Sequence, residues 1–224
     1  MKRTKLKERI LPTYTKGEEV FNMVTHIIGG ALGVAATTLC VIFAAIHHNV
    51  YGIVSGTIYG ATGILLYTIS SIYHGLRKDT TAKKVFQIID HCTIFLLIAG
   101  SYTPFTLVTF REQSVSLGWT MFGIIWGISA LGIVLNSIDL KKYKVLSMIC
   151  YIVTGWCVII KAPLLIKSIT MKGFILLLLG GISYTIGTIF YGLEKKYKYM
   201  HSIFHILIVI GGVLQFFCIL LYVM

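Results

Sequence analysis

Seven apolar runs follow one another almost without pause, most of them close to the ~20 residues a helix needs to cross the ~30 Å hydrocarbon core of a bilayer. They cover roughly 20–46, 50–73, 85–109, 117–137, 144–161, 172–192 and 201–223. The interruptions at 47–49, 75–79, 111–113, 139–142, 161–172 and 194–198 are short and carry turn or charge signals. The fifth is the least distinct, because Leu164–Ile166 is apolar, and a six-span alternative stays open. Charged residues make up only 12% of the chain, about half the share usual in a soluble domain, so no polar coat is available. The expected fold class is an all-α membrane protein of seven transmembrane helices. It has one domain at 20–224, preceded by a basic segment at 1–19.

The net charge of +12 would suggest nucleic acid in a soluble protein. Here Lys and Arg stand between the apolar runs, where they orient helices and meet anionic headgroups, and nucleic-acid binding is excluded. With the N-terminus in the cytoplasm, the inner segments hold sixteen basic residues: Lys2, Arg3, Lys5, Lys7, Arg9, Lys16, Arg77, Lys78, Lys83, Lys84, Lys141, Lys142, Lys144, Lys195, Lys196 and Lys198. The outer ones hold four: Arg111, Lys161, Lys167 and Lys172. Basic residues concentrate on the cytoplasmic side, and an odd number of spans then puts the C-terminus outside. The run from Val20 to Ile46 is too long for a signal-peptide core and reads as a retained span.

The five cysteines lie in apolar stretches without a CxxC pair, so they read as packing residues rather than a disulfide or zinc framework. Gly52, Gly56 and Gly60, and likewise Gly123 and Gly127, are spaced to let helices approach closely in lipid.

Ionisable residues inside spans cost at least ~2.5–3.5 kcal/mol each and are functional candidates for that reason. His74 ends the second span, with Ser70 one turn deeper on the same face. Asp90 opens the third span. His201 and His205 open the seventh, and their i, i+4 spacing aligns both imidazoles. Glu18, Glu19, Asn22 and His26 open the first. The topology brings all of these to a similar depth on the cytoplasmic side. Three histidines with one position left for water form a suitable tetrahedral zinc set, Asp90 can act as a base beside it, and Ser70 can steady a carbonyl oxygen. His47, His48 and His91 read as ordinary interfacial residues, and Glu18 as a solvated one.

At these positions the chain resembles the hemolysin III group of the progestin and adiponectin receptor (PAQR) superfamily. The matching motifs are Glu19-x-x-Asn22-x-x-Thr25-His26, Ser70-x-x-Tyr73-His74, Asp90 followed by IFLLIAGSYTP at 94–104, and His201-x-x-x-His205, in the family's order and across nearly the whole chain. The resemblance implies seven helices with the N-terminus inside and a zinc ion (Zn2+) held by His74, His201 and His205. Asp90 would sit beside the zinc-bound water, with Ser70 close by. The long N-terminal extension of the eukaryotic receptors is absent, which points to the bacterial branch and a cell-membrane location. The resemblance also brings in hydrolysis of lipid amides such as ceramide, cytolytic activity and membrane-lipid homeostasis.

Three functions follow as expectations. The first is a zinc-dependent hydrolase of lipid amides or esters, with Asp90 and Ser70 as catalytic residues, Glu19, Asn22 and His26 in support, and membrane lipids as partners. The second is a cytolysin or pore former, which the lack of any soluble amphipathic form disfavours. The third is a receptor or sensor with structural zinc.

Overall fold

The structure, a computed structural model, describes residues 4–78 and 80–224. Lys2 and Arg3 of the basic segment, and Asp79 of the second interruption, lie outside the described residues. Among the described residues all regular structure is helical: α1 (Lys16–Ile46), α2 (Val50–Gly75), α3 (Thr81–Pro104), α4 (Val115–Trp156), α5 (Ala162–Leu193) and α6 (Met200–Tyr222). Helix α3 runs on through a π-helical turn at Phe105–Phe110 and a short turn at Arg111–Gln113.

Short polar side chains start the helices by accepting from backbone N–H groups that have no partner within the helix. Thr15 and Glu18 form a reciprocal capping box on α1, Asn49 accepts from Gly52 N at 2.7 Å on α2, and Thr80 and Ser114 cap α3 and α4. Glu18 is therefore a buried capping residue, not a solvated one; its carboxylate also accepts from Tyr199 N at 2.6 Å.

Five helical stretches are long and apolar enough to cross a membrane: Lys16–Ile46, Val50–Gly75, Thr81–Gln113, Val115–Leu193 and Met200–Tyr222. The fourth contains 79 residues, which as one straight helix would run to ~120 Å. Its helical geometry breaks at Asp139 (φ −159°, ψ 96°), at a 3₁₀ turn over Cys157–Lys161 and at Thr170 (φ 62°, ψ 169°). The first break has a clear cause. The Asp139 carboxylate accepts from the N–H groups of Lys141 and Lys142, both at 3.1 Å, and so caps a new helical segment.

Helix α3 is the most buried of the five stretches and packs against α2 and α4, while α1 lies on α2 and α6, and α5 lies on α6. Close approach sets these contacts. A Cβ on Gly60 would meet the Thr37 side chain, and one on Gly132 would fall 2.1 Å from the Phe95 ring. Gly123 and Gly127 differ: a Cβ on either meets nothing within 4 Å. Regular spacing put them on one face of α4, but that face points outward.

Candidate metal centre

The polar residues at the start of α1, the end of α2, the start of α3 and the start of α6 converge at one end of the bundle. One potential ligand atom from each of His74, His201 and His205 lies within 4.8 Å of the others, and all three residues are buried. His74 Nε2, His201 Nε2 and His205 Nδ1 have no hydrogen-bond partner. A buried polar atom left unpaired is costly, and native proteins rarely tolerate it without a ligand or ion. Three buried histidines with ligand atoms this close together make a group able to hold a metal ion.

On His74 and His201 the other ring nitrogen is held by a carboxylate. His74 Nδ1 pairs with Glu19 Oε2 at 2.7 Å, and His201 Nδ1 with Glu194 Oε2 at 2.9 Å. His205 is hydrogen-bonded to the backbone of Asn22. A carboxylate behind a ligating imidazole fixes its tautomer and orientation and raises its basicity. Both carboxylates are themselves anchored. Glu19 Oε1 accepts from Lys83 Nζ at 2.8 Å, and Glu194 Oε2 accepts from the Tyr14 hydroxyl at 2.8 Å. Burial pushes the Glu194 carboxyl up, but hydrogen bonds from His201 and Tyr14 outweigh it and hold the group at about 2.

Lys83, Glu194 and Tyr14 were not distinguished in the sequence as site residues. Lys83 is only 1% exposed. Its ammonium also donates to the carbonyls of His74 (3.5 Å) and Leu76 (3.1 Å) at the C-terminal end of α2, where the helix dipole favours a cation. Lys84 beside it reaches the Lys7 carbonyl at the surface. No local signal separates the two lysines. Glu194 sits among charged loop residues, and Tyr14 precedes the first span; the ring of Tyr14 lies 4.9 Å from that of His201.

The remaining sequence-predicted residues take distinct places. Asn22 accepts from Ser202 Oγ at 2.7 Å and ties α1 to α6. His26 stacks on His205 with ring centroids 3.7 Å apart, stands outside the group of three, and has no partner on either nitrogen. Ser70 hydrogen-bonds the Asp90 carboxylate. His91 is occupied at both nitrogens, by the Gln87 carbonyl and the Tyr191 hydroxyl. His47 and His48 lie exposed at the far end of the bundle, where His47 Nδ1 meets the Met224 carbonyl.

Asp90, Ser70, His26 and His205 also line the head of a cavity of about 140 Å³, roughly ten times the ~10–15 Å³ one water needs. From there it runs between α3, α4, α5 and α6 past Ile94, Leu97, Met148, Phe204 and Ile208. A slot with convergent polar groups at its head and a largely apolar wall beyond them suits a ligand with a polar head and an acyl-like tail.

The sequence pattern of the family described as "Haemolysin-III related" matches residues 14–216. The chain is 39% identical to "Hemolysin-3" of Bacillus cereus over 207 residues, covering 92% of each protein. It is 41% identical to the "Hemolysin-3 homolog" of Bacillus subtilis (strain 168) over 209 residues, covering 93% of this chain and 96% of that one. It is also 25% identical to the human "Monocyte to macrophage differentiation factor" over 171 residues, covering 74% of this chain and 69% of that one, a match that fits the PAQR link. With its motifs, its helices and both Bacillus relatives in agreement over most of its length, the chain belongs to the haemolysin-III related family of multi-pass membrane proteins.

Proposed function

We propose that the protein is a zinc-dependent hydrolase of lipid amides or esters that acts from within the cell membrane and serves membrane-lipid homeostasis. The observations that carry this reading are the group of three buried histidines and a largely apolar cavity whose lining takes in one of them, His205, together with Asp90 and Ser70. A set of three imidazoles favours zinc over magnesium or calcium, which prefer oxygen ligands. His74, His201 and His205 hold the ion, and Glu19 and Glu194 keep the first two imidazoles aimed. When bound, the metal supplies Lewis-acid polarisation of the scissile carbonyl and makes a water easier to ionise.

Asp90 then does the proton work. It accepts a proton from the attacking water as the new C–O bond forms, and returns it to the departing nitrogen or oxygen as the old bond breaks. Ser70 orients the Asp90 carboxylate through its hydrogen bond. The cavity takes the acyl chain and keeps bulk water away. The same reading takes the breaks inside Val115–Leu193 as turns between three crossings. This gives seven spans, with the N-terminus and the metal site on the cytoplasmic side and the C-terminus outside.

The test is elemental analysis of the detergent-purified protein, followed by hydrolysis of a ceramide and of a fatty-acyl ester. Zinc at about one per chain and release of free fatty acid are expected. Folded protein that takes up no metal even when zinc is supplied sinks the mechanism.

A further inference from the structure

The cavity is polar at both ends. Gln215 lies at its deep end and is 8% exposed, and its side-chain carbonyl oxygen is buried without a hydrogen-bond partner. The same glutamine lines a smaller pocket continuous with the first, sharing Ser101, Tyr102, Gly155, Trp156 and Gly181 with it. The Ser101 and Tyr102 hydroxyls are engaged elsewhere, whereas the buried Tyr184 hydroxyl, which lines the same cavity, also has no partner among the described residues. Ser101 Oγ donates to the Ile98 carbonyl at 2.9 Å, and the Tyr102 hydroxyl donates to the Gly155 carbonyl at 2.7 Å while accepting from Val158 N. The Gln215 amide thus lines the cavity with its oxygen unpartnered among the described residues, at a depth where lipid offers no donor.

Two helices give the same distance between the ends. His205 and Gln215 are ten residues apart on α6, or ~15 Å along the axis. Asp90 and Ser101 are eleven apart on α3, or ~16 Å. Between the ends the wall is largely apolar, with Ile94, Leu97, Ile98 and Ile208, although Tyr151, Tyr184 and Thr185 line it too. The pattern of polar head, apolar spacer and polar station describes the ligand. Gln215 needs a donor for its oxygen and offers an N–H in return. A hydroxyl supplies one donor and accepts in turn, whereas a ketone cannot donate and a carboxylate would bring a charge into the core.

We propose that Gln215 is a recognition site for a hydroxyl carried at mid-chain on the acyl ligand, so that the cavity selects hydroxylated acyl chains. The inference rests on the reading of the cavity as an acyl-chain site but not on hydrolysis. It is tested by equilibrium binding to the full-length protein in detergent, using three probes: octadecanoic acid, its mid-chain hydroxylated form, and an isomer hydroxylated next to the carboxyl group.

The mid-chain hydroxy acid is expected to bind about tenfold tighter than the other two, the worth of one well-made buried hydrogen bond. Gln215→Leu and Gln215→Met should abolish that preference while still binding octadecanoic acid. The wild-type comparison stands even if neither variant folds. Equal affinity for all three probes in the wild type overturns the proposal and assigns the amide to a water. A preference that survives in a folded Gln215 variant overturns it too. Failure of every probe to bind removes the acyl-site reading along with it.

Discussion

The two ends of the bundle both carry histidines, and they treat them differently. At one end His74 and His201 are buried, each backed by a carboxylate that is itself held by a lysine or a tyrosine, with the outward nitrogen left open. At the other end His47 is exposed and rests on the last carbonyl of the chain, and His48 sits in a left-handed turn at φ 54°. An imidazole near a membrane surface therefore says little alone. What marks a ligand is an anchored acceptor on one nitrogen and an open space shared with other imidazoles on the second.

That contrast breaks most readily at the ligands themselves. The double variant His74→Ala/His201→Ala should lose all bound metal, while His47→Ala/His48→Ala keeps about one ion per chain, read by elemental analysis of protein shown to be folded. Equal loss in both would mean the metal binds nonspecifically. Next in size, Asp90→Asn should retain the metal and lose ~10²–10⁴ of the lipid-hydrolysis rate; loss of metal instead would make Asp90 a ligand. Glu19→Gln and Glu194→Gln should each weaken metal affinity ~10–100-fold, measured by competition with a chelator. Unchanged affinity would reduce the carboxylates to packing. The smallest effect belongs to the far end. His48→Gly should leave metal binding alone and stabilise the fold by no more than ~1–2 kcal/mol, because glycine accepts the left-handed turn without penalty, and thermal unfolding would show it.

The all-helical, membrane-spanning character was legible because apolar length is a local property of the chain, but the described residues form five apolar helical stretches where seven were expected. Asp139 was read as part of an interruption, and its carboxylate caps the helix that follows. His74, His201 and His205 were legible because ionisable groups in apolar runs stand out. Of their supports, Glu19 was read from the sequence, but Lys83, Tyr14 and Glu194 were not. Lys83 carries the same charge and neighbours as Lys84, and only the fold decides that one is swallowed beside Glu19 and the other stays at the surface. Tyr14 and Glu194 meet across 180 residues of sequence, a pairing no local pattern encodes. The outward face of Gly123 and Gly127 escaped notice for a related reason, since spacing marks a smooth helix face but not which neighbour, if any, lies against it.

The pairing of Asn22 with Ser202 also has a consequence for biogenesis, because 180 residues separate the two. At ~5–20 residues per second the ribosome needs roughly 10–40 s to make that stretch. For most of this interval α1 and α2 are already made, with Glu19 and His74 among their residues, while α6 has yet to emerge. Two of the three imidazoles arrive with the last helix. An ion held by all three imidazoles could be captured only after α6 has been made, so its loading would report on the assembly of α1, α2 and α6.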